Sequence, residues 1–417
     1  ARFSIQRETT LSLNALIKRT HSKEEFYMAE IFTGNNPSQM YMDALFTLCL
    51  EGDVVKPRGK AVKEIRPVIL EFTEPANRLT FLLGRVVNPF FQLAESTAWI
   101  MGGRSDVKWL LDYNASMEQF SDDGEFFNAP YGERLRHWNK SDANGFIMNP
   151  FDQLYDVYEK LKADPDTRQA VAVIYNPIFD HARNETKDRP CNLLLTFKIR
   201  KGKLDLSVMN RSNDLHWGTF GANLCQFATV LECMSSWLGI PMGTYNQITD
   251  SLHIYLDDYG AKETDKVLNA YGLTSTTLVG REVPQVQQFT FSNEPRMSSD
   301  FDSFHDHLDE FFTDINPRFD DPTSYAGEWY VDVINHINSI PDDYLRMAFS
   351  AMFAYRAHKE GRSWHIVCAA LDNMPACSWK LSCLRFLYPK YKDLSDFKML
   401  YEGWDYDKVL YIERTNG

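Results

Sequence analysis

The sequence predicts a mixed α/β chain followed by a mainly helical C-terminal part. Three observations carry this expectation. Residues 193–199 form a β-rich apolar run and Leu204, Leu206 and Val208 then alternate with polar neighbours, as in a β-hairpin. Apolar helical segments flank it at 40–50, 88–103 and 224–238. From about 300 to 390 the pattern turns helical and aromatic-rich, as in FDSFHDHLDEFF and DYLRMAFSAMFAYRAH.

Length and charge bound the function classes. At 417 residues the chain can bury a large core and form two domains. We expect a boundary near residue 290, with 1–290 carrying the chemistry and 291–417 forming a helical extension. Apolar content of 44% and charged content of 24% are ordinary for a globular protein. No apolar run reaches the length of a membrane span, and Arg2, Arg7, Lys18 and Arg19 interrupt any signal-peptide pattern. A cytoplasmic location is expected, or the host cytoplasm for a phage-encoded chain. The seven cysteines lack CxxC spacing, which argues against a disulfide framework or zinc site. The net charge of −13 disfavours nonspecific duplex binding, so a phosphorylated ligand needs a local arginine cluster.

The elements follow in order. Residues 1–35 are polar and weakly periodic. MYMDALFTLCL (40–50) is helical and ends near Gly52. Val55 to Lys60 form a basic loop containing Arg58, and IRPVILEF reads as strand. NPFFQLAESTAWIMGG (88–103) is an apolar helix opened by Asn-Pro and stopped by glycines. Glu95 is its only charged residue, and a lone carboxylate there is costly unless paired or functional. A Pro-Tyr-Gly turn at Tyr131 follows, then an amphipathic helix over 150–163. The segment DPDTRQ with Arg168 leads into the strand AVAVIYNP.

The hairpin carries chemistry at both ends. Leu193–Ile199 and Leu204–Val208 flank the charged turn Arg200–Lys203. Cys191 begins the first strand, while Arg211, Ser212, Asn213 and Asp214 end the second. Antiparallel pairing brings these ends together, placing a thiol beside a guanidinium and a hydroxyl. A nearby cation favours the thiolate and lowers the thiol pKa. Arg and Ser are also natural donors to a phosphate oxygen. The bland alternative is a buried structural cysteine and a surface arginine. After Asn223, LCQFATVLECMSSWLG is a long buried helix, with Cys225 and Cys233 as core filling. YNQIT then delivers DSLHIY, which contains His253 and Tyr255.

In this spelling (PC, a hairpin, RSND, Gly218, Asn223, then H-x-Y) the chain resembles the thymidylate synthase and pyrimidine-nucleotide hydroxymethylase family over roughly residues 40–260. The resemblance implies a large mixed sheet packed with helices, whose back pairs two subunits into a homodimer with shared active sites. It implies a pyrimidine nucleoside monophosphate as substrate and 5,10-methylenetetrahydrofolate as cosubstrate, with no metal. Cys191 becomes the nucleophile that adds to C6 of the base and makes C5 nucleophilic. Glu95 orders water and proton transfers, and Tyr131 takes part in them. Arg58, Arg211, Ser212 and, from the partner subunit, Arg168 hold the phosphate. His253 and Tyr255 hold the sugar hydroxyl, Asn223 reads the base, and Asp214 with Gly218 faces the folate.

Four departures from the family pattern stand out. Three residues, not two, separate Glu95 from Trp99, which a helix bulge can absorb. Gln169 replaces a second arginine. Asn192 follows the cysteine where synthases have histidine, so the polar network at the base carbonyl differs. The Gly218-to-Asn223 loop is one residue longer than usual, which bears on whether Asn223 reaches the base. The RSND and SLHIY spellings, and a tail unlike the synthase C-terminus, point to hydroxymethylation of dUMP to 5-hydroxymethyl-dUMP. Reductive methylation to dTMP and hydroxymethylation of a cytidine nucleotide are the alternatives. A noncatalytic nucleotide- or RNA-binding protein on the same fold is the rival from another class.

Overall fold

Leu195, Phe197, Leu206 and Val208 are fully buried on one face of the hairpin, and this face seeds the main sheet. The computed structural model describes residues 28–138, 151–182, 185–320 and 329–414. Its strands are β1 (Glu30–Gly34), β2 (Asp53–Val55), β3 (Val62–Ile65), β4 (Val68–Phe72), β5 (Val171–Val173), β6 (Asn192–Arg200), β7 (Lys203–Asn210), β8 (Asn213–Asp214), β9 (Met242–Thr249) and β10 (Leu252–Tyr255). Six of them form a sheet in the order β1-β4-β9-β7-β6-β5. Parallel and antiparallel neighbours are mixed, as expected from the sequence.

The hairpin turn has positive φ at both Lys201 (51°) and Gly202 (72°). A two-residue turn of that hand matches the right-handed twist of the strands. The expected single strand IRPVILEF instead divides between two sheets. β3 joins a second, four-stranded sheet ordered β2-β3-β10-β8, whereas β4 joins the main one. Pro67 stands at the division, where it has no N–H to offer either ladder. This small sheet matters because β8 and β10 carry Asn213, Asp214, His253 and Tyr255.

The helix carrying Glu95 starts as α1 (Pro89–Leu93), capped by the Asn88 side chain, which accepts from Phe90 N and Phe91 N at 3.0 and 3.1 Å. It then widens into a π-helical stretch over Ala94–Ile100. This wide turn takes up the extra residue between Glu95 and Trp99. The segment after Asp214, expected to be a loop, is likewise π-helical over Leu215–Asn223 and runs into α2 (Leu224–Leu238). The widening absorbs the additional residue there too. Gly239, with φ 65°, ends α2 in the left-handed conformation that suits glycine.

Helices after residue 300 pack directly on this body. Among them are α3 (Asp343–Lys359) and α4 (Ser378–Tyr391). Tyr355 of α3 stacks on Phe90 with ring centroids 4.8 Å apart. The Tyr344 hydroxyl reaches Thr97 at 3.2 Å and Thr229 at 3.4 Å. Arg385 of α4 donates to the carbonyls of Leu82 and Arg85. The C-terminal helices therefore brace the back of the helix that presents Glu95.

Candidate active site

Cys191 sits immediately before β6, and Asn210 ends β7 opposite Asn192. The Arg211 N–H donates to the Cys191 carbonyl at 3.0 Å, closing the open end of the hairpin. This fixes the Arg211 guanidinium. Its Nε donates to Pro190 O at 2.9 Å, and its Nη2 lies 3.6 Å from Cys191 Sγ. The expected pairing of thiol and guanidinium is thus present. The expected net lowering of the thiol pKa is not, and here the sequence reading needs correction. Burial pushes the Cys191 thiol up; Arg211 and Arg58 pull it down, but Asp188 and Asp214 push it up again.

The Cys191 N–H donates to the Tyr131 hydroxyl at 3.3 Å. Tyr131 opens a short helix, Tyr131–Arg136. The turn before it is held by Arg134, which donates to Asn128 O at 2.9 Å and makes a buried two-point pair with Asp180 at 2.7 and 2.8 Å. Burial drives the Tyr131 phenol far above its usual range, so it is a neutral hydroxyl that can donate and accept.

Glu95 is 6% exposed. Burial pushes its carboxyl up to about 7, and a hydrogen bond from Gln226 offsets part of the rise. Its Oε2 is buried with no partner among the described residues. Gln226 lies three residues past Asn223 on α2. A carboxyl poised near neutrality suits proton transfer.

Four asparagines meet around Asn192, the residue after Cys191, and Asn223. Asn223 Nδ2 donates to Asn192 Oδ1 at 3.4 Å and to Asn213 Oδ1 at 3.3 Å. Asn210 Nδ2 also donates to Asn192 Oδ1. Asn192 Nδ2 makes no sound hydrogen bond, although the amide lies close enough to the Tyr131 hydroxyl to favour its ionised form. The longer segment before Asn223 has not carried it away from this cluster.

The parallel pairing of β8 with β10 sets His253 beside Asp214 and Leu252 beside Asn213. His253 Nδ1 is buried without a partner, and its ring lies 5.3 Å from that of Tyr255. Asp214 caps the π-helical segment by accepting from Trp217 N, and its Oδ2 is left buried and unpaired. Burial raises the Asp214 carboxyl, with Trp217 N–H, His253 and Arg85 acting against it. A Cβ on Gly218 would come 2.1 Å from Asn213 Oδ1, so this glycine makes room for Asn213. Its expected folate contact is therefore joined by a packing reason. Ser212 is half-buried between Arg211 and Asn213. Arg58 is exposed in the turn after β2, and its charge bears on both Cys191 and Tyr255.

Arg168 lies elsewhere in the subunit. The Phe197 N–H bonds to Ala170 O, so Arg168 stands near the turn end of the hairpin. Cys191 is at the opposite end, roughly 25 Å away at about 3.3 Å per residue.

Sequence reasoning missed Gln226, Asn210 and Asp188. The Asp188 carboxyl is pushed up to about 6 by burial, against a hydrogen bond from Ala129 N. Its position three residues before Cys191 was the available signal. Among the described residues no cluster of three metal-ligating side chains occurs, and no helix is long and apolar enough to cross a membrane.

A mixed sheet whose hairpin sets a thiol beside a guanidinium at its open end, next to a cluster of buried amides, has the architecture of a one-carbon transferase. A family model described as thymidylate synthase matches residues 41–296, and the chain belongs to that family. Similar relatives include a deoxyuridylate hydroxymethyltransferase of Bacillus phage SP01, 57% identical over 87% of this chain and 94% of its own length. Another of that name, from Pseudomonas phage M6, is 30% identical over 86% of this chain and 93% of its own. A third, from Delftia phage PhiW-14, is 31% identical over 46% of this chain and 52% of its own.

Proposed function

We propose that this protein hydroxymethylates C5 of dUMP, taking the carbon from 5,10-methylenetetrahydrofolate and the oxygen from water. The observation that carries this reading is the Cys191 thiol beside Arg211, with Asn223 bonded to the neighbouring Asn192, within a chain 57% identical to a deoxyuridylate hydroxymethyltransferase along nearly its whole length. Methylenetetrahydrofolate supplies a carbon at the oxidation level of formaldehyde. Cys191 Sγ adds to C6, which makes C5 nucleophilic toward that carbon. Loss of the C5 proton and of tetrahydrofolate leaves an exocyclic methylene; water adds to it and the thiol departs. Glu95, titrating near neutrality with one oxygen unpaired, is suited to order that water and accept its proton. Arg58, Arg211 and Ser212 receive the phosphate, His253 and Tyr255 the sugar. Asp214, with an unmatched buried oxygen, fits a donor group on the folate.

The reading includes a homodimer. On the outer face of the six-stranded sheet, the register aligns Ile31, Ile69, Ile248, Met209, Leu194 and Val173 in one apolar row across all strands. Ile31 is 60% and Met209 37% exposed in the single subunit. An apolar stripe of that width favours a second copy. Arg168, far from its own thiol, then has the partner's phosphate to reach. We take residues 1–290 as the catalytic part and 291–417 as its helical brace. The host cytoplasm, where dUMP and folate occur together, is the proposed location.

The test is mass spectrometry of the product formed from dUMP and methylenetetrahydrofolate. A gain of one CH2O, absent with Cys191→Ala, is expected. A gain of one CH2 would make the protein a thymidylate synthase instead. No turnover, with nucleotide still bound, would favour a noncatalytic binder.

A further inference from the structure

We propose that Tyr344, which lies outside the residues 41–296 matched by the family model, is a positioning residue for Glu95. Its hydroxyl holds the Glu95 stretch and α2 together so that Gln226 meets the carboxyl. The inference rests on the dUMP reading above and gives the C-terminal extension a part in the chemistry. The Glu95 carboxyl accepts a hydrogen bond from Gln226, which joins the π-helical stretch Ala94–Ile100 to α2. The Tyr344 hydroxyl makes a second link between the same two elements. It lies 3.2 Å from Thr97 Oγ1, two residues after Glu95, and 3.4 Å from Thr229 Oγ1, three residues after Gln226. Thr97 and Thr229 are fully buried and Tyr344 is 1% exposed, so these hydroxyls depend on one another for partners.

The bridge is anchored on both sides. Tyr344 stands in the first turn of α3, whose cap Asp342 accepts from Leu345 N at 2.9 Å. Asp342 also accepts from Ser298 N and Ser299 N at 2.7 and 2.8 Å, which ties this turn to the chain before it. On the α2 side, Arg78 donates to Thr229 Oγ1 at 2.9 Å and lies over the Tyr344 ring, 5.7 Å from its centroid. A wide helical turn is a rare backbone form. The direction of the Glu95 side chain depends on how that turn is seated along α2, and Tyr344 sets the seating beside it. The charges around the carboxyl are few. Burial raises it and Gln226 acts against the rise. Cys225, next to Gln226, stays a neutral thiol because burial pushes it up to about 12, and Arg78 is neutralised by buried Glu232. Weakening the Gln226 bond therefore raises the carboxyl further, and the ionised form that accepts a proton then appears at higher pH.

The experiment compares pH profiles of kcat, with KM for dUMP, in the parent, Tyr344→Phe and Thr97→Val. Tyr344→Phe keeps the ring and removes the bridging hydroxyl. The acid limb of kcat should move up by about one pH unit, lowering kcat at pH 7 about tenfold, the value of one hydrogen bond to a charged group. KM for dUMP should stay near the parent's, because Tyr344 does not touch the nucleotide. Thr97→Val removes the other end of the bridge and should reproduce the shift; it carries the same test should Tyr344→Phe fail to fold. Thr97→Ser, which keeps the hydroxyl, should return the limb to the parent's position. Combining Tyr344→Phe with Thr97→Val should shift the limb no further than either alone, since both remove one bridge. An unmoved limb in folded Tyr344→Phe or Thr97→Val protein overturns the proposal. So does a loss of kcat that is equal at every pH, which would mark a merely structural role. Absence of hydroxymethylated product from the parent would defeat the dUMP reading itself, an outcome distinct from normal turnover with an unmoved limb.

Discussion

Arg211 Nη2 lies 3.6 Å from Cys191 Sγ while its Nε is tied to the carbonyl of Pro190 at 2.9 Å. The cation is therefore pinned beside the thiol by the backbone of the residue that precedes the cysteine. It opposes burial without overcoming it, since the thiol still titrates above its ordinary 9.0. Removing the guanidinium should push the thiol higher still. Arg211→Ala is expected to slow alkylation of Cys191 by iodoacetamide at pH 8 by about tenfold, one pKa unit's worth of thiolate. Peptide mass spectrometry across a pH series reads this directly. Equal rates in parent and variant would show that the cation does not govern the thiol.

Glu95 gives a stability signature with a definite sign. Its carboxyl is raised from 4.5 in the unfolded chain to about 7 in the folded protein. Between those values the native state holds the proton more firmly, so stability falls as pH rises through the window. Glu95→Gln cannot ionise and escapes that loss, which amounts to about 3 kcal/mol at full ionisation. Thermal melts at pH 4.5 and pH 8 should therefore show the variant gaining on the parent at the higher pH, while losing turnover. A Tm difference that does not change with pH would place the carboxyl near its ordinary value and remove it as a proton acceptor poised at neutrality.

Much of this site was legible because its signals are local. Alternation gave the hairpin, and spacing between Glu95 and Trp99 gave the wide helical turn. Asn-Pro gave the start of the helix that carries Glu95. What escaped depends on register and burial. IRPVILEF is one apolar run, yet Pro67 splits it between two sheets. The contacts of Asn192 with Asn210 and Asn223 span 18 and 31 residues of sequence. No periodicity links them. The net direction of the Cys191 shift also escaped, because a nearby cation can be inferred from chain order but the depth of burial cannot.

The outer face of the main sheet predicts the assembly. Ile248 and Met209 are neighbours at the centre of the apolar row. Met209→Asp should leave the fold intact, since the side chain already faces outward, and should convert a dimer into monomers by light scattering. Under the proposed shared site Arg168 would lose the partner's phosphate, so activity should fall with the dimer. Mixing Cys191→Ala with Arg168→Ala subunits should recover part of the activity through one intact site per hybrid. Verified hybrids without recovery would exclude a shared site.

The last prediction concerns the base. Asn223→Asp places carboxylate oxygens where Asn223 Nδ2 now faces Asn192 Oδ1 and Asn213 Oδ1. Like-facing acceptors repel, and each neighbour can relieve this by rotating its amide. Asn213 then donates through Nδ2, which lacks a partner at present. Rotating Asn192 turns its oxygen toward the ligand, where it can accept from the cytosine amino group, and Asn210 turns with it so that its unpartnered Oδ1 accepts from Asn192 Nδ2. A carboxyl at 223 that keeps its proton can donate to cytosine N3, and burial among amides favours the protonated form. Preference should therefore move toward dCMP by about ten- to a hundredfold, the range expected for exchanging one or two matched polar contacts. The measurement is the ratio of kcat/KM for dUMP and dCMP in parent and variant. A ratio that stays put would mean that residue 223 does not face the base edge, and the choice of uracil would then need another cause.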